Sequence, residues 1–501
     1  MKQKSNHLVG HWINGELQIG KGMRSNIFNP STGAVIREVT LANLTEISST
    51  ITCAQAALPG WMETPALRRA RIMFKFRELL EAAQDRLAEC IALEHGKTVA
   101  DASGEITRGL EVLEFACGAP HLLKGEFSLN VGTGVDGFDF RQPLGVIAGV
   151  TPFNFPVMVP MWMFPLALVC GNTFILKPSE RDPSASLLLA ELLHSAGLPK
   201  GVFNVLQGDS HTVDALIKDP GVAAISFVGS TNVAKHIYTQ GTAQGKRVQA
   251  LGGAKNHMVV MPDAELDVVT EALVGAAFGS AGERCMAISV AVVVTDVLAD
   301  ALIKSLKTRI MSLKIGASGA TNIDMGPLIN LAHKTRVTEY VASGIAEGAQ
   351  LIIDGRETII PGHENGFFLG PCLFDHVKEN MLIYREEIFG PVLCIIRVPD
   401  LNHAIKLINT HEYGNGTAIF TQNGATARHF IEKIEVGMVG INIPLPVPMA
   451  FHSFGGWKNS MFGDHHAYGM EGIRFYSRLK AVSQRWPEKH SVHADFVMPT
   501  L

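Results

Sequence analysis

What this 501-residue chain has little of narrows its class first. Charged residues make up only 18% of it, and Lys plus Arg (43) nearly balances Asp plus Glu (47), with no block of like charge. That argues against nucleic acid or another polyanion as partner, and the apolar content argues against intrinsic disorder. Seven scattered cysteines do not make a disulfide framework, and the absence of any CxxC or Cys/His ligand spacing argues against a structural metal. A reducing compartment fits this usage. The opening MKQKSNHLVGHWINGE has no apolar h-region and no Arg-rich leader, so the expected location is the cytoplasm. A clean membrane span is missing too. The charge-free run of 35 residues between Arg141 and Lys177 is broken by Pro143, Pro152, Pro156, Pro160 and Pro165. It reads instead as a buried strand, a polar turn, a buried helix and another strand.

What is present is apolar surface for large cores, 47% of residues, in a length that suits about three units of roughly 150 residues. Ile72, Phe76, Leu79, Ala83, Leu87 and Ile91 recur at helical spacing, which predicts one amphipathic helix over 65–95, opened by Thr64 and Pro65 and ended by Gly96. A second helix is expected over about 101–118. From 144 the pattern becomes LGVIAGV, a helix near 157–170, NTFILK, a helix near 182–196, GVFNVL, a short helix, AAISFVG, a helix from about 231, and RVQAL. Near-continuous apolar strands alternating with helices predict a parallel sheet covered on both faces, the nucleotide-binding kind of α/β architecture. Ligands in such sheets sit at the carboxyl ends of the strands, which here carry Thr151, Lys177 and Gly229-Ser230. A second α/β run over about 255–445, with AISVAVVV, PVLCIIRV, NGTAIF and MVGINI, predicts a second domain. The extended FSLNVGTGVDGFDF (127–140) and the closing GIRFYSRLKAVS are expected to pair and project as an oligomerisation surface.

Several residues carry chemistry. Gly132, Gly134 and Gly137 spell G-x-G-x-x-G, but a strand and a proline follow where a dinucleotide fingerprint needs a helix, so this is a hairpin turn. ISFVGSTNVAKHI, a strand running through Gly229-Ser230 into a helix, is the better phosphate site. Cys285 in GSAGERCMA has small neighbours that give access and Arg284 to favour the thiolate, which suits a nucleophile. The other six cysteines sit in apolar segments as packing residues. Arg108 shares a helix face with Val112, Phe115 and Ala119, and a guanidinium there needs an anion, either a protein carboxylate or a substrate carboxylate. Adjacent His465 and His466 point apart and read as structural.

In order and spacing, TPFNFP (151–156), LKPSE (176–180), FVGST (227–231), LGG (251–253), GERC (282–285), EEIFGPV (386–392) and SFGGWK (453–458) resemble the aldehyde dehydrogenase superfamily over nearly the whole chain. Within it, GERCMA, ALGGAKNH, FFLGP and FGDHHAYGMEGIRFYSRLK resemble the CoA-acylating methylmalonate-semialdehyde dehydrogenase branch. The resemblance implies an α/β fold with a Rossmann-type NAD-binding domain (1–126 and 141–254), a catalytic domain (255–445) and a small β oligomerisation arm (127–140 and 470–490), assembled as a dimer or homotetramer. It implies that Cys285 attacks an aldehyde, with Asn154 and the Cys285 N–H holding the oxyanion. It places Thr151 and Phe153 at the nicotinamide of NAD, Lys177 and Glu180 at the adenosine ribose, Ser230 at the pyrophosphate and Glu387 at the nicotinamide ribose, with Arg181 and Gly252 beside the cofactor. Arg108 and Arg284 would bind a semialdehyde's carboxylate. Hydrolytic relatives carry a glutamate just before LGG, where this chain has Ala250. Water, with a pKa of about 15.7, needs that base. A thiol of pKa about 8.5 is already roughly 3% ionised at pH 7, so the implied acyl acceptor is coenzyme A. Glu180 should repel a ribose 2′-phosphate and so favours NAD over NADP, although Arg181 stands beside it. Two departures from the broad pattern are Phe153, where many relatives have tryptophan, and Asn459, where glycine is frequent.

Overall fold

The computed structural model of the chain describes residues 8–486. Strands Val146–Val150, Thr173–Lys177, Phe203–Val205, Val222–Val228 and Arg247–Leu251 form the parallel centre of an eight-stranded sheet. After Val146–Val150 the chain first builds outward on one side, through Thr173–Lys177 and Phe203–Val205. It then returns to build on the other, through Val222–Val228 and Arg247–Leu251. The loops leaving the strands on either side of this reversal diverge and open a crevice at their carboxyl ends. Every residue of Val146–Val150 and Thr173–Lys177 is buried, because helices cover both faces. Ile147, Phe174 and Leu176 pack under helices Val99–Cys117, Met158–Val169 and Ser184–Ser195. Val146, Ala148, Val150 and Ile175 pack under Leu44–Glu63, Ser210–Lys218 and Thr231–Ala243. The apolar charge-free run contributes Met158–Val169, all twelve residues of which are buried. No helix among the described residues is long and apolar enough to cross a membrane.

The single helix expected over 65–95 is two, Ala66–Ala82 and Gln84–His95, broken where Ala83 takes φ −100° and ψ 7°. A break of one residue leaves the helical phase of the apolar positions almost intact, so periodicity alone cannot register it. Thr64 closes the preceding helix, Leu44–Glu63, instead of opening the next, with its N–H bonded to the Trp61 carbonyl. That preceding helix was not anticipated, although its start is marked in the sequence by a capping box between Asn43 and Glu46. Gly96 ends Gln84–His95 at φ 96°, as expected.

The second domain holds a seven-stranded sheet ordered Gln350–Ile353, Cys372–Asp375, Val392–Val398, Ile288–Val294, Asn256–Val260, Gly416–Phe420 and Met438–Ile441, parallel except for its first strand. Beyond 445 the chain returns to the first sheet, where Met461–Phe462 pairs with Arg247–Leu251. Ser477–Arg485 pairs antiparallel along the whole of Val135–Pro143, which turns back onto Phe127–Gly132. The G-x-G-x-x-G match lies in that hairpin, with Gly134 at φ 67° in its turn. The arm strand therefore runs to Pro143, while residues 470–475 belong to the helix Gly469–Phe475 packed against the body. Positions 487–490 of the expected arm lie outside the described residues.

Candidate active site

The crevice is a cleft of about 590 Å³, and Thr151, Phe153, Asn154, Lys177, Glu180, Arg181, Ser230, Gly252, Cys285 and Glu387 all line it. On the other side of Cys285 lies a smaller pocket of about 150 Å³, lined by Asp101, Arg108 and Arg284 together with Phe155, Trp162 and Phe454. Cys285 faces both cavities. Of the twelve candidate site residues, ten line the cleft, Cys285 among them, and Arg108 and Arg284 line the pocket.

The backbone that presents Cys285 is strained. Helix Leu266–Phe278 ends in a turn where Ser280, Ala281 and Gly282 all take positive φ, at 52°, 51° and 74°. A Cβ on Gly282 would stand 2.2 Å from the Gly390 carbonyl oxygen, so only glycine fits there. The Cys285 carbonyl is clamped by Asn256 Nδ2 at 2.9 Å and Asn415 Nδ2 at 3.1 Å. Burial pushes the thiol up to about 12 and the nearby Glu387 carboxylate adds to this; the N–H groups of Cys285 and Met286, and then Arg284, pull more weakly the other way. Arg284 pulls toward the thiolate, as expected, but burial outweighs it, and its guanidinium is turned to Asp101 Oδ1 at 2.5 Å.

Asn154 is held from both ends. Its Nδ2 donates to the Glu283 carbonyl at 3.1 Å, and its own carbonyl accepts from Lys97 Nζ at 2.6 Å. Lys97 is itself buried against Glu105 Oε2 at 2.8 Å, and Glu105 Oε1 accepts from the N–H groups of Val157 and Met158 at 2.8 and 3.0 Å. This ion pair pins the turn that carries Asn154 to the start of the next helix. Sequence reasoning missed both residues, yet Glu105 shares a stripe with Gly109, Val112 and Ala116, all buried. The helical-phase argument used for Arg108 would have found it. Arg108 itself is half-buried, with Nη1 on Glu111 Oε2 at 2.7 Å and Nη2 donating to the Pro448 carbonyl at 2.8 Å. Its partner in this structure is a protein carboxylate.

Along the cleft, Lys177 is buried with Nζ 3.4 Å from Glu180 Oε2, and desolvation draws its ammonium below the usual range. Arg181 lies over the ring of Phe153 at 5.0 Å, and that ring also packs against His95, His333 and Phe389. Thr151 Oγ1 is buried without a hydrogen-bond partner among the described residues. Ser230 precedes helix Thr231–Ala243, makes no side-chain capping bond and lines the cleft with Val233 of that helix's first turn. Glu387 Oε1 accepts from the Ala254 N–H at 3.0 Å, and burial raises its carboxyl to about 7. Ala250 is fully buried in the apolar cluster that also contains Val150 and Phe227, two cleft-lining residues. At the turn after GGWK it is Lys458, at φ 53°, that takes the left-handed conformation, while Asn459 bonds Glu412 through its N–H and Nδ2. His465 pairs with Glu471 at 2.9 Å and His466 with Ser453 at 3.2 Å.

Glu283, also missed, ties the turn that carries Cys285 to Ile329 and His333 on one side and His95 on the other. It is fully buried; Oε1 accepts from the Ile329 N–H at 3.2 Å and lies 3.4 Å from His333 Nε2, and Oε2 is 4.0 Å from His95 Nε2. Burial raises its carboxyl to about 8. A folded-state value above the unfolded one contributes stability that is complete at pH below about 4.5 and is lost as pH rises through about 8. Glu283→Gln, which keeps the shape without the charge, is expected to gain on the order of 1–3 kcal/mol relative to the parent between pH 5 and pH 8.5. Thermal unfolding at the two pH values checks this; a difference that does not change with pH would mean that the carboxyl is already ionised at pH 5.

A cysteine carried just after a strained turn, between a large cleft at the carboxyl ends of a doubly wound sheet and a small pocket, fits an oxidoreductase built on two α/β sheets. The chain belongs to the aldehyde dehydrogenase family, whose model matches residues 19–482. It is 59% identical, over 98% of its length and 99% of the relative's, to a malonate-semialdehyde dehydrogenase of Pseudomonas aeruginosa. Among solved structures it superposes with a TM-score of 0.96 on a protein of Sinorhizobium meliloti 1021 assigned as a methylmalonate-semialdehyde dehydrogenase and complexed with NAD, at 50% identity, covering 97% of this chain and 100% of that one. A methylmalonate-semialdehyde dehydrogenase of Oceanimonas doudoroffii follows at TM-score 0.95 and 55% identity, covering 96% and 99%.

Proposed function

We propose that the protein oxidises malonate semialdehyde or methylmalonate semialdehyde with NAD+ and coenzyme A, giving acetyl-CoA or propanoyl-CoA, CO2 and NADH. The observation that carries this reading is Cys285 facing two unlike cavities, one long enough for a dinucleotide and one small and furnished with two guanidinium groups. The cleft suits NAD by its own chemistry: an unpartnered Thr151 hydroxyl, a helix N-terminus behind Ser230, and Lys177 with Glu180 at the next strand end. Glu180, at the cleft wall, would accept from an adenosine ribose hydroxyl and repel a 2′-phosphate, while Arg181 is engaged by the Phe153 ring, which favours NAD over NADP. When bound, the dinucleotide supplies the hydride acceptor and a positive charge near the sulfur.

The residues divide the work as follows. Cys285 Sγ adds to the aldehyde carbon, and the oxygen that gains charge is met by Asn154 Nδ2 and the Cys285 N–H. Arg108 and Arg284 hold the substrate's carboxylate at the far end of the pocket. Loss of hydride leaves a thioester on Cys285; the carbon–carbon bond to the carboxylate then breaks, its electron pair passing to the thioester as an enolate that takes up a proton. No carboxylate stands at position 250 to activate water, so the thiol of CoA is the acceptor that releases the acyl group. The arm built on Val135–Pro143 and Ser477–Arg485 exposes Phe127, Leu129, Leu479 and Trp486 and supports a homotetrameric assembly, and the sparse cysteine usage suits the cytoplasm. Stopped-flow mixing with malonate semialdehyde and NAD+ is expected to give a burst of NADH of about one per Cys285, with steady turnover only after CoA is added. Undiminished turnover without CoA would overturn the role given to position 250.

A further inference from the structure

Each arginine of the small pocket already has a carboxylate. Asp101, in the first turn of helix Val99–Cys117, lines the pocket with Arg284 and Cys285, and its Oδ1 is 2.5 Å from Arg284 Nη2. Its Oδ2 is buried and lies toward the Ser280 hydroxyl. Farther along the same helix Arg108 is held by Glu111, three residues on from it, at 2.7 Å. The two guanidinium groups are therefore not free cations. A carboxylate entering this pocket meets two nearly neutral pairs, one of them the Asp101–Arg284 pair in the pocket wall.

That arrangement is unfavourable for tight binding of a carboxylate and favourable for losing one. Breaking a carbon–carbon bond to CO2 discharges the carboxylate, so any full ion pair with arginine stabilises the state before cleavage more than the transition state and slows the step. An arginine shared with a protein carboxylate can orient the group while stabilising its charge less. We infer that Asp101 is a specificity-determining residue of the pocket, which keeps Arg284 partly neutralised and sets a negative charge beside the acyl-enzyme's carboxylate so that CO2 leaves before coenzyme A arrives. In this step the bond between the carboxylate carbon and the α-carbon breaks, its electron pair moves to the Cys285 thioester as an enolate, and a proton from solvent restores the α-carbon. No oxidant or further reactant is needed. This rests on the semialdehyde reading above.

The test is the identity of the product. Wild type, Asp101→Asn and Asp101→Glu are given malonate semialdehyde, NAD+ and CoA, and the CoA esters are separated by mass spectrometry. Wild type and Asp101→Glu are expected to give acetyl-CoA. Asp101→Asn, with CO2 loss slowed by about tenfold or more, is expected to release malonyl-CoA as a measurable share and to bind malonate about tenfold more tightly in calorimetry without cofactor. Acetyl-CoA as sole product of Asp101→Asn, at whatever rate, overturns the inference and leaves Asp101 a prop for Arg284. If that variant does not fold, Asp101→Ser, which removes the same charge with a smaller side chain, is read the same way. A wild-type protein that makes no CoA ester at all would instead sink the semialdehyde reading, and the two failures are thereby distinct.

Discussion

Cys285→Ala is expected to lower NADH formation from any aldehyde by at least about 10⁴-fold, because no second nucleophile stands where both cavities open and the step cannot be shared. The replacement removes one atom from a clamped turn, so the variant should fold and the cleft should still bind the dinucleotide. Binding measured by fluorescence alongside the assay separates lost chemistry from a lost site. The wild-type pH profile follows from the same sulfur. With the thiol pushed up to about 12 by burial, alkylation by iodoacetamide without cofactor should climb about tenfold per pH unit between 7 and 10 as the thiolate fraction grows. A plateau beginning near pH 7 would mean that the free protein already carries the thiolate, and the role of burial argued above would fail.

The second large effect is at Asn154. Its amide has two hydrogens, one committed to the Glu283 carbonyl at 3.1 Å and the other free for an oxygen on Cys285's substrate. Asn154→Ala removes a donor that matters most once negative charge develops, so kcat should fall by about 10²–10³-fold while KM moves by less than about threefold. An equal loss in kcat/KM carried by KM alone would place Asn154 in ground-state binding, and unchanged kcat would leave the Cys285 N–H as the sole oxyanion donor. Because Lys97 holds the Asn154 carbonyl and the Glu283 carbonyl holds its Nδ2, the amide is fixed before substrate arrives. That preorganisation is the physical basis for expecting so large an effect from one hydrogen bond.

How much of this was legible beforehand can be judged from particular residues. The strand ends at Thr151, Lys177 and Gly229 were placed correctly by alternation alone, because a sheet covered on both faces forces continuous apolar strands and ligand sites at their carboxyl ends. Arg108 was flagged by helical phase, which reports what side of a helix a residue occupies but not what it meets there. Glu111 and the Pro448 carbonyl, its partners, lie on the same helix and on a loop 340 residues away. The break at Ala83 and the helix Leu44–Glu63 were missed for opposite reasons: the break is silent in the periodicity, whereas the helix had a readable capping box that was passed over.

Sequence by itself determined the family and the α/β fold, because each depends on local pattern or on motifs whose order along the chain is specific. Only the tertiary structure decided the state of those residues. Whether Cys285 is thiol or thiolate, whether Arg284 is a free cation or half of a pair with Asp101, and whether Glu283 holds its proton at neutral pH all depend on desolvation and on charges brought from distant segments. These are through-space energies. Neighbours in the chain, such as Arg284 beside Cys285, predict them poorly, because a side chain's strongest partner is set by packing and not by adjacency.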